Sequence, residues 1–166
     1  MNITRTFDFL QRYQEKFGDK EDALAGKKDG KWVKYSSHQY IDYSNHISYG
    51  LLALGLKKGD KIATITNNRP EWNFLDLGMQ QIGAINVPLY PTTTKSEYEF
   101  IFNHAEIKLC FVSDREILDK VTSIKDKLIS LQNIYTFDDI QGATSWKTIL
   151  TDVTEADLSE IETHKS

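Results

Sequence analysis

Apolar and polar positions along the chain change period several times. Ile3, Phe7, Leu10 and Tyr13 recur at helical spacing, so residues 3–17 read as an amphipathic helix ended by Gly18 and Asp19. Ala23-Leu24-Ala25 and Trp32-Val33-Lys34-Tyr35 then flank Lys27-Lys28-Asp29-Gly30, and Asp-Gly between two short strands signals a hairpin. A second helix follows. Ser36 and Gln39 have capping-box spacing, Tyr40, Tyr43, Ile47, Leu51 and Leu54 form its stripe, and Gly55 stands where a left-handed cap would end it.

After the Lys58-Gly59-Asp60 turn, strands and helices alternate. Ile62–Thr66 reads as a strand, and Asn68-Arg69-Pro70 opens a helix carrying Trp72, Phe74, Leu75, Gly78, Met79 and Ile82. That helix is apolar over a wide arc and should pack on more than one neighbour. Gly83 closes it, and Ala84–Val87 is expected to be a short buried strand. Thr94 and Glu97 form a second capping box, before a helix with Tyr98, Ile101, Phe102 and Ala105. Leu109–Val112 is a strand, Ser113 and Glu116 start a helix running through Ile117, Val121, Ile124 and Leu128, and Asn133–Phe137 is the last strand.

This alternation predicts an open α/β layered unit over about 36–137, with a mostly parallel sheet, right-handed crossovers and covering helices. Three parts are expected: a docked helix and hairpin at 1–35, the α/β lobe at 36–150, and a polar, acidic tail at 151–166. In that tail only Val153, Leu158 and Ile161 could pack, so it reads as a linker or a weak helix. No internal repeat or low-complexity segment is present.

Composition narrows the function classes. At 166 residues the chain can bury roughly 70% of its unfolded surface, enough for a core. A net charge of −4 gives no basic face for nucleic acid. The first nine residues lack the apolar core of a signal peptide, and no run approaches the ~18 apolar residues of a membrane span. Peripheral membrane contact stays open. The single cysteine, Cys110, cannot form an internal disulfide, so a reducing, cytoplasmic setting is expected. It sits in an apolar strand-like run and reads as a buried, inert thiol.

Candidate chemistry is sparse. No glycine-rich phosphate loop occurs; the glycines are isolated at turns and helix ends. His38, Asp42 and His46 are spaced for one helix face, yet that face lies opposite the Tyr40–Ile47–Leu54 stripe, so a solvated face is expected rather than a metal site. His104 and His164 have no evident partners. Tyr90-Pro91-Thr92-Thr93-Thr94 could hold a phosphate at a helix start, but a proline turn with a capping Thr94 explains it as well. Asp138-Asp139 could bind a cation and is more simply a solvated pair. Asn67-Asn68-Arg69-Pro70-Glu71-Trp72 lies between a strand and a helix, where open α/β sheets place functional loops, although its Asn and Pro also serve capping.

Three stretches together resemble the N-terminal region of the adenylate-forming enzymes: Leu52–Ala63, with its Gly55-Leu56-Lys57-Lys58-Gly59-Asp60 turn; Asn68–Trp72; and Gly83–Thr92. Asn-Arg-Pro-Glu-Trp and Pro-Leu-Tyr-Pro-Thr are most similar to the long-chain fatty acyl-CoA synthetases, and the likeness runs from about residue 3 to 137. The resemblance implies a larger adenylate-forming domain. There a fatty carboxylate attacks the α-phosphate of ATP, with Mg2+ assisting, to give an acyl-adenylate and pyrophosphate, and the coenzyme A thiol then displaces AMP. The family's Thr/Ser-Gly-rich loop and later nucleotide-binding motifs do not occur here. The chain is therefore expected to be a catalytically incompetent N-terminal piece of such a ligase, with no catalytic, cofactor-binding or metal residue to assign. Alternatively it is a free-standing α/β module for binding or dimerisation, open to self-association through exposed apolar surface.

Overall fold

The computed structural model describes residues 3–18, 20–150, 152 and 154–165. Asp19 and Val153 lie outside them. Helix α1 (Asp8–Phe17) begins five residues later than its apolar spacing suggests. At that start the nearly buried Asp8 carboxylate accepts from the backbone N–H groups of Thr4 (3.0 Å) and Arg5 (2.9 Å), capping the turn that leads into the helix.

Strands β1 (Leu24–Lys28) and β2 (Lys31–Tyr35) form the expected hairpin. Its two turn residues, Asp29 and Gly30, both have positive φ (50° and 75°), which matches the right-handed twist of the strands. The inner face carries Leu24 and Tyr35, which pack on the core, and Gly26. A Cβ on Gly26 would meet the Pro70 ring at 2.7 Å, so the hairpin sits directly against the segment that begins at Pro70.

Helix α2 (Ser37–Ala53) has the anticipated Ser36/Gln39 capping box, and Gly55 (φ 82°) ends it. Strand β3 (Lys61–Ile65) is followed by α3 (Pro70–Gln81), β4 (Ile85–Leu89), α4 (Lys95–His104), β5 (Ile107–Val112), α5 (Arg115–Thr122) and β6 (Asn133–Thr136). The four strands β3–β6 are parallel in the order β4-β3-β5-β6. The chain thus steps one way from β3 to β4, then back across β3 to β5. Crossovers of one hand then place α3 on one face and α4 and α5 on the other. One face packs against α1, α2 and α3 through Ile62, Leu109 and Phe111; the other packs against α4 and α5 through Ala63, Ile65, Cys110 and Val112.

Two glycines set the helix spacing. A Cβ on Gly78 of α3 would lie 2.6 Å from Ile47 Cγ2 and 3.0 Å from the Ser44 carbonyl oxygen of α2. A Cβ on Gly50 would lie 1.8 Å from the Ile149 carbonyl oxygen. The Ser48 hydroxyl donates to the Gly78 carbonyl at 2.9 Å across the same contact.

Three expectations are corrected: the burial and bounds of β4, and the start and the end of α5. β4 is neither buried nor confined to 84–87. It is the sheet's edge, with Ile85 47% exposed, and it extends through Pro88, whose missing N–H is tolerated at an edge. Helix α5 is capped by Asp114, whose carboxylate accepts from the Ile117 N–H at 3.1 Å, and not by Ser113. It ends at Thr122, and a 3-10 turn at Lys125–Lys127 carries Ile124 and Leu128 into the core. The segment after β6 forms a second 3-10 turn, Trp146–Ile149, which buries Trp146 beside Tyr43 and Phe137. In the tail, Thr154 and Asp157 cap a helix, α6 (Glu155–His164), which returns to the α2–α3 layer through buried Ile161. Among the described residues, no helix is long and apolar enough to cross a membrane.

Candidate functional site

Reversal of strand order between β3 and β5 makes a switch point, and open α/β sheets bind ligands outside the carboxyl ends of the strands there. The structure gathers Asn67–Trp72 after β3, Tyr90–Thr94 after β4, Ser113-Asp114 after β5 and Asp138-Asp139 after β6 at this end. Two clefts result. One, of about 430 Å3, is walled by Thr64, Asn67, Asn68, Trp72, Leu89 and Tyr90. The other, of about 540 Å3, lies between the hairpin and the sheet, bounded by Lys28, Tyr35, Arg69, Ser113, Asp138 and Asp139 among others.

Arg69 ties these loops together. Its guanidinium donates to Glu71 (3.0 and 3.4 Å) and to Asp138 (3.1 Å), and it lies over the Phe137 ring at 4.9 Å. Burial opposes its charge, but the two carboxylates outweigh that and raise its pKa above the ordinary value. The charge is thereby neutralised in place. Arg69 fixes the α3 start to the end of β6 rather than presenting a free cation.

Beneath it runs a hydrogen-bonded chain. Trp72 Nε1–H donates to Thr64 Oγ1 (3.2 Å), Thr64 donates to Asn86 Oδ1 (2.9 Å), Asn86 Nδ2 donates to Asp76 Oδ1 (2.9 Å), and Gln80 donates to Asp76 Oδ2 (2.6 Å). Thr64 is 1% exposed, so this chain supplies the polar partners that a hydroxyl in the sheet requires. Nothing in the local sequence marks it, because its members come from β3, α3 and β4.

The remaining candidates resolve one by one. In Tyr90–Thr94 the carbonyl of Tyr90 accepts from the Tyr98 hydroxyl (2.8 Å), and that of Pro91 accepts from Lys120 Nζ (3.1 Å). Burial pushes the Tyr98 phenol up to about 12, so it stays a donor. The α4 start already holds an anion of its own, since the Glu97 carboxylate accepts from the Thr94 N–H at 2.8 Å. The loop is a braced turn with Tyr90 left 80% exposed. Asp138 is bound to Arg69 and Asp139 to Lys147 (3.4 Å), so the carboxylates pair with separate cations. His38 and Asp42 face solvent, and His46 Nδ1 is 2.7 Å from the Asp42 carbonyl oxygen of its own helix. His104 stacks on Phe100 at 5.5 Å, and His164 lies in the last turn of α6. Cys110 is fully buried, and burial pushes its thiol well above the usual range. Among the described residues, no three His, Cys, Asp or Glu side chains gather as metal ligands.

Chemically, the two clefts offer amides at Asn67 and Asn68, aromatic faces at Trp72 and Tyr90, and a neutralised arginine. None of the four histidines lines either cleft, and Cys110 lies in the core away from both. The arrangement can position a neighbouring group, and in the second cleft the Ser113 hydroxyl donates to the Asp114 carboxylate at 2.6 Å.

Residues 10–162 match the AMP-binding enzyme family. Fatty acyl-CoA synthetase A of Dictyostelium discoideum is 32% identical over 128 residues, covering 76% of this chain and 18% of that protein. Long-chain-fatty-acid–CoA ligase FadD15 of Mycobacterium tuberculosis is 24% identical over 131 residues, covering 79% of this chain and 21% of the relative. The chain thus spans about a fifth of the length of these curated relatives. Among solved structures, the inhibitor-bound N-terminal domain of FACL13 from Mycobacterium tuberculosis superposes with a TM-score of 0.68 at 20% identity, over 80% of this chain and 33% of that one. At that identity the likeness establishes the fold. The parallel sheet with its switch point, the braced β3–α3 loop and the match over 10–162 agree: this chain belongs to the AMP-binding enzyme family and resembles the N-terminal part of that family's acyl-CoA ligases.

Proposed function

We propose that the chain serves as scaffold in an ATP-dependent long-chain fatty acid–CoA ligase, which joins a fatty acid to coenzyme A. The observation that carries this reading is the family match over 10–162, together with the similarity to proteins named as fatty acyl-CoA synthetases. Asn-Arg-Pro-Glu-Trp at 68–72 and Pro-Leu-Tyr-Pro-Thr at 88–92 support the long-chain branch.

The reading brings in ATP, Mg2+ and coenzyme A, and the residues present do not fit the nucleotide or the metal. The sequence has no glycine-rich run to present successive N–H groups to phosphates, and its positive-φ glycines stand singly at turns. No metal-ligand cluster occurs among the described residues. No catalytic, cofactor-binding or metal role is therefore assigned to a residue of this chain. Its contribution is rigid placement. The Arg69–Asp138 and Trp72–Thr64–Asn86 contacts hold the carboxyl-end loops at fixed positions, against which a catalytic segment can be organised. In domain terms, 36–150 is the lobe, 1–35 docks on it, and 151–166 leads toward the ATP-binding segment.

The test is fatty acid-dependent ATP–pyrophosphate exchange, using palmitate, on two samples: the complete product of the gene and the 166-residue chain alone. Exchange by the former and none by the latter is expected. Exchange by the chain alone would overturn the scaffold assignment. Failure of the complete product with palmitate and with shorter and longer fatty acids would overturn the ligase reading.

A further inference from the structure

The hairpin has two unlike faces. In a two-stranded ribbon, directly paired residues share a face, and the register pairs Leu24 with Tyr35, Gly26 with Val33, and Lys28 with Lys31 on one side. That side is turned to the core through Leu24, Tyr35 and the Gly26–Pro70 contact. The other side pairs Ala25 with Lys34 and Lys27 with Trp32, and all four are exposed. Trp32 is 66% exposed, a large apolar surface left in water. The Lys27 ammonium lies 5.3 Å from its ring centroid.

Charge is concentrated on the same element. Lys27, Lys28, Lys31 and Lys34 stand against Asp29 alone within residues 24–35, in a chain whose net charge is −4. Lys34 also meets Asp22 at 3.5 Å, an exposed pair that solvent screens. The acidic groups Asp114, Asp138 and Asp139 line the cleft under the inner face, on the side away from Trp32. The outer face and tip therefore present a cationic, aromatic surface. An indole flanked by ammonium groups matches the bilayer interface, where the ring sits at headgroup depth and the lysines meet lipid phosphates.

We propose that the outer face of the β1–β2 hairpin, centred on Trp32 with Lys27 and Lys34, docks the protein on the surface of a bilayer containing anionic lipid. Binding is peripheral, with the ring inserted at the headgroup level and no segment spanning the membrane. The proposal stands on the hairpin alone and is independent of the ligase reading.

The test is co-sedimentation of the 166-residue protein with vesicles of phosphatidylcholine alone and of phosphatidylcholine with 30 mol% phosphatidylglycerol. Binding to the second and not the first is expected, weakening as salt rises. The variant Lys27→Gln/Lys34→Gln should bind about twenty-five-fold more weakly, at about fivefold per lysine, and Trp32→Ala about tenfold more weakly. Both act on exposed side chains, so thermal unfolding should be unchanged and loss of fold is excluded as the cause. Lipids brominated near the headgroup should quench the fluorescence of the parent protein but not of Trp32→Phe. Equal binding to both vesicles, unaltered binding of Trp32→Ala, or equal competition by a single-stranded oligonucleotide at matched charge would overturn the proposal.

Discussion

Replacing Thr64 by valine removes one hydroxyl and keeps the side-chain shape. In the folded protein Trp72 Nε1–H would lose its acceptor and Asn86 Oδ1 its donor. Each buried polar group left unpaired costs about 1–3 kcal/mol. Trp72 and Asn86 are only partly buried, so water reaches them in part and the lower end applies to each. The added methyl recovers part of the loss through burial, about 1 kcal/mol at most. The expected net destabilisation is about 1–2 kcal/mol. For a domain of this size that lowers Tm by about 2–4 °C per kcal/mol. Urea denaturation of the parent and of Thr64→Val measures it, with unchanged m-values required. A double-mutant cycle isolates the link to the indole. In a Trp72→Phe background, which has no N–H to strand, Thr64→Val should cost about 1 kcal/mol less. Equal costs in both backgrounds would show that the Trp72–Thr64 contact contributes nothing and would refute the reasoning.

Gly78→Ala should destabilise by about 1–3 kcal/mol, despite alanine's better helix propensity, because the new methyl meets Ile47 and the Ser44 carbonyl with no room between α2 and α3; thermal unfolding measures it. The Asp8 carboxyl has its pKa lowered to about 2, first by the Thr4 N–H, against desolvation, and then by Arg5. A depressed pKa means its stabilisation is present above the ordinary value of 3.8 and is lost as pH falls toward 2; Asp8→Asn should flatten the Tm–pH curve in that window. Cys110 should react with a disulfide reagent only on unfolding, so labelling rates in urea should track the unfolding curve; fast labelling of the native protein would contradict the buried placement.

The helices and strands were legible where one local rule decided them. Ser36–Gln39 and Thr94–Glu97 are capping boxes as spaced, and the left-handed Gly55 ends α2. Asp29-Gly30 makes the hairpin turn for the same local reason. Misreadings arose where a distant contact outweighed the local signal. Ile3 and Phe7 have helical spacing, yet the helix starts only at Asp8, after a turn whose Thr4 and Arg5 N–H groups are capped by the Asp8 carboxylate. Apolar Ile85 and Val87 suggest burial, but strand order places β4 at an edge, and strand order is not written in any one segment. The candidate site divides the same way. Asn67–Trp72 and Tyr90–Thr94 could be singled out by their position between strand and helix. What they do could not, because Arg69 takes its partner Asp138 from 69 residues away and Trp72 takes Thr64 from another element.

The most direct test of the central claim, that this lobe is the N-terminal part of an acyl-CoA ligase, is to read the coding DNA beyond codon 166. The account predicts a Thr/Ser-Gly-rich stretch followed by Pro-Lys-Gly within a few tens of codons. A stop codon directly after Ser166 would contradict it and would leave a free-standing member of the family without a phosphate-binding loop.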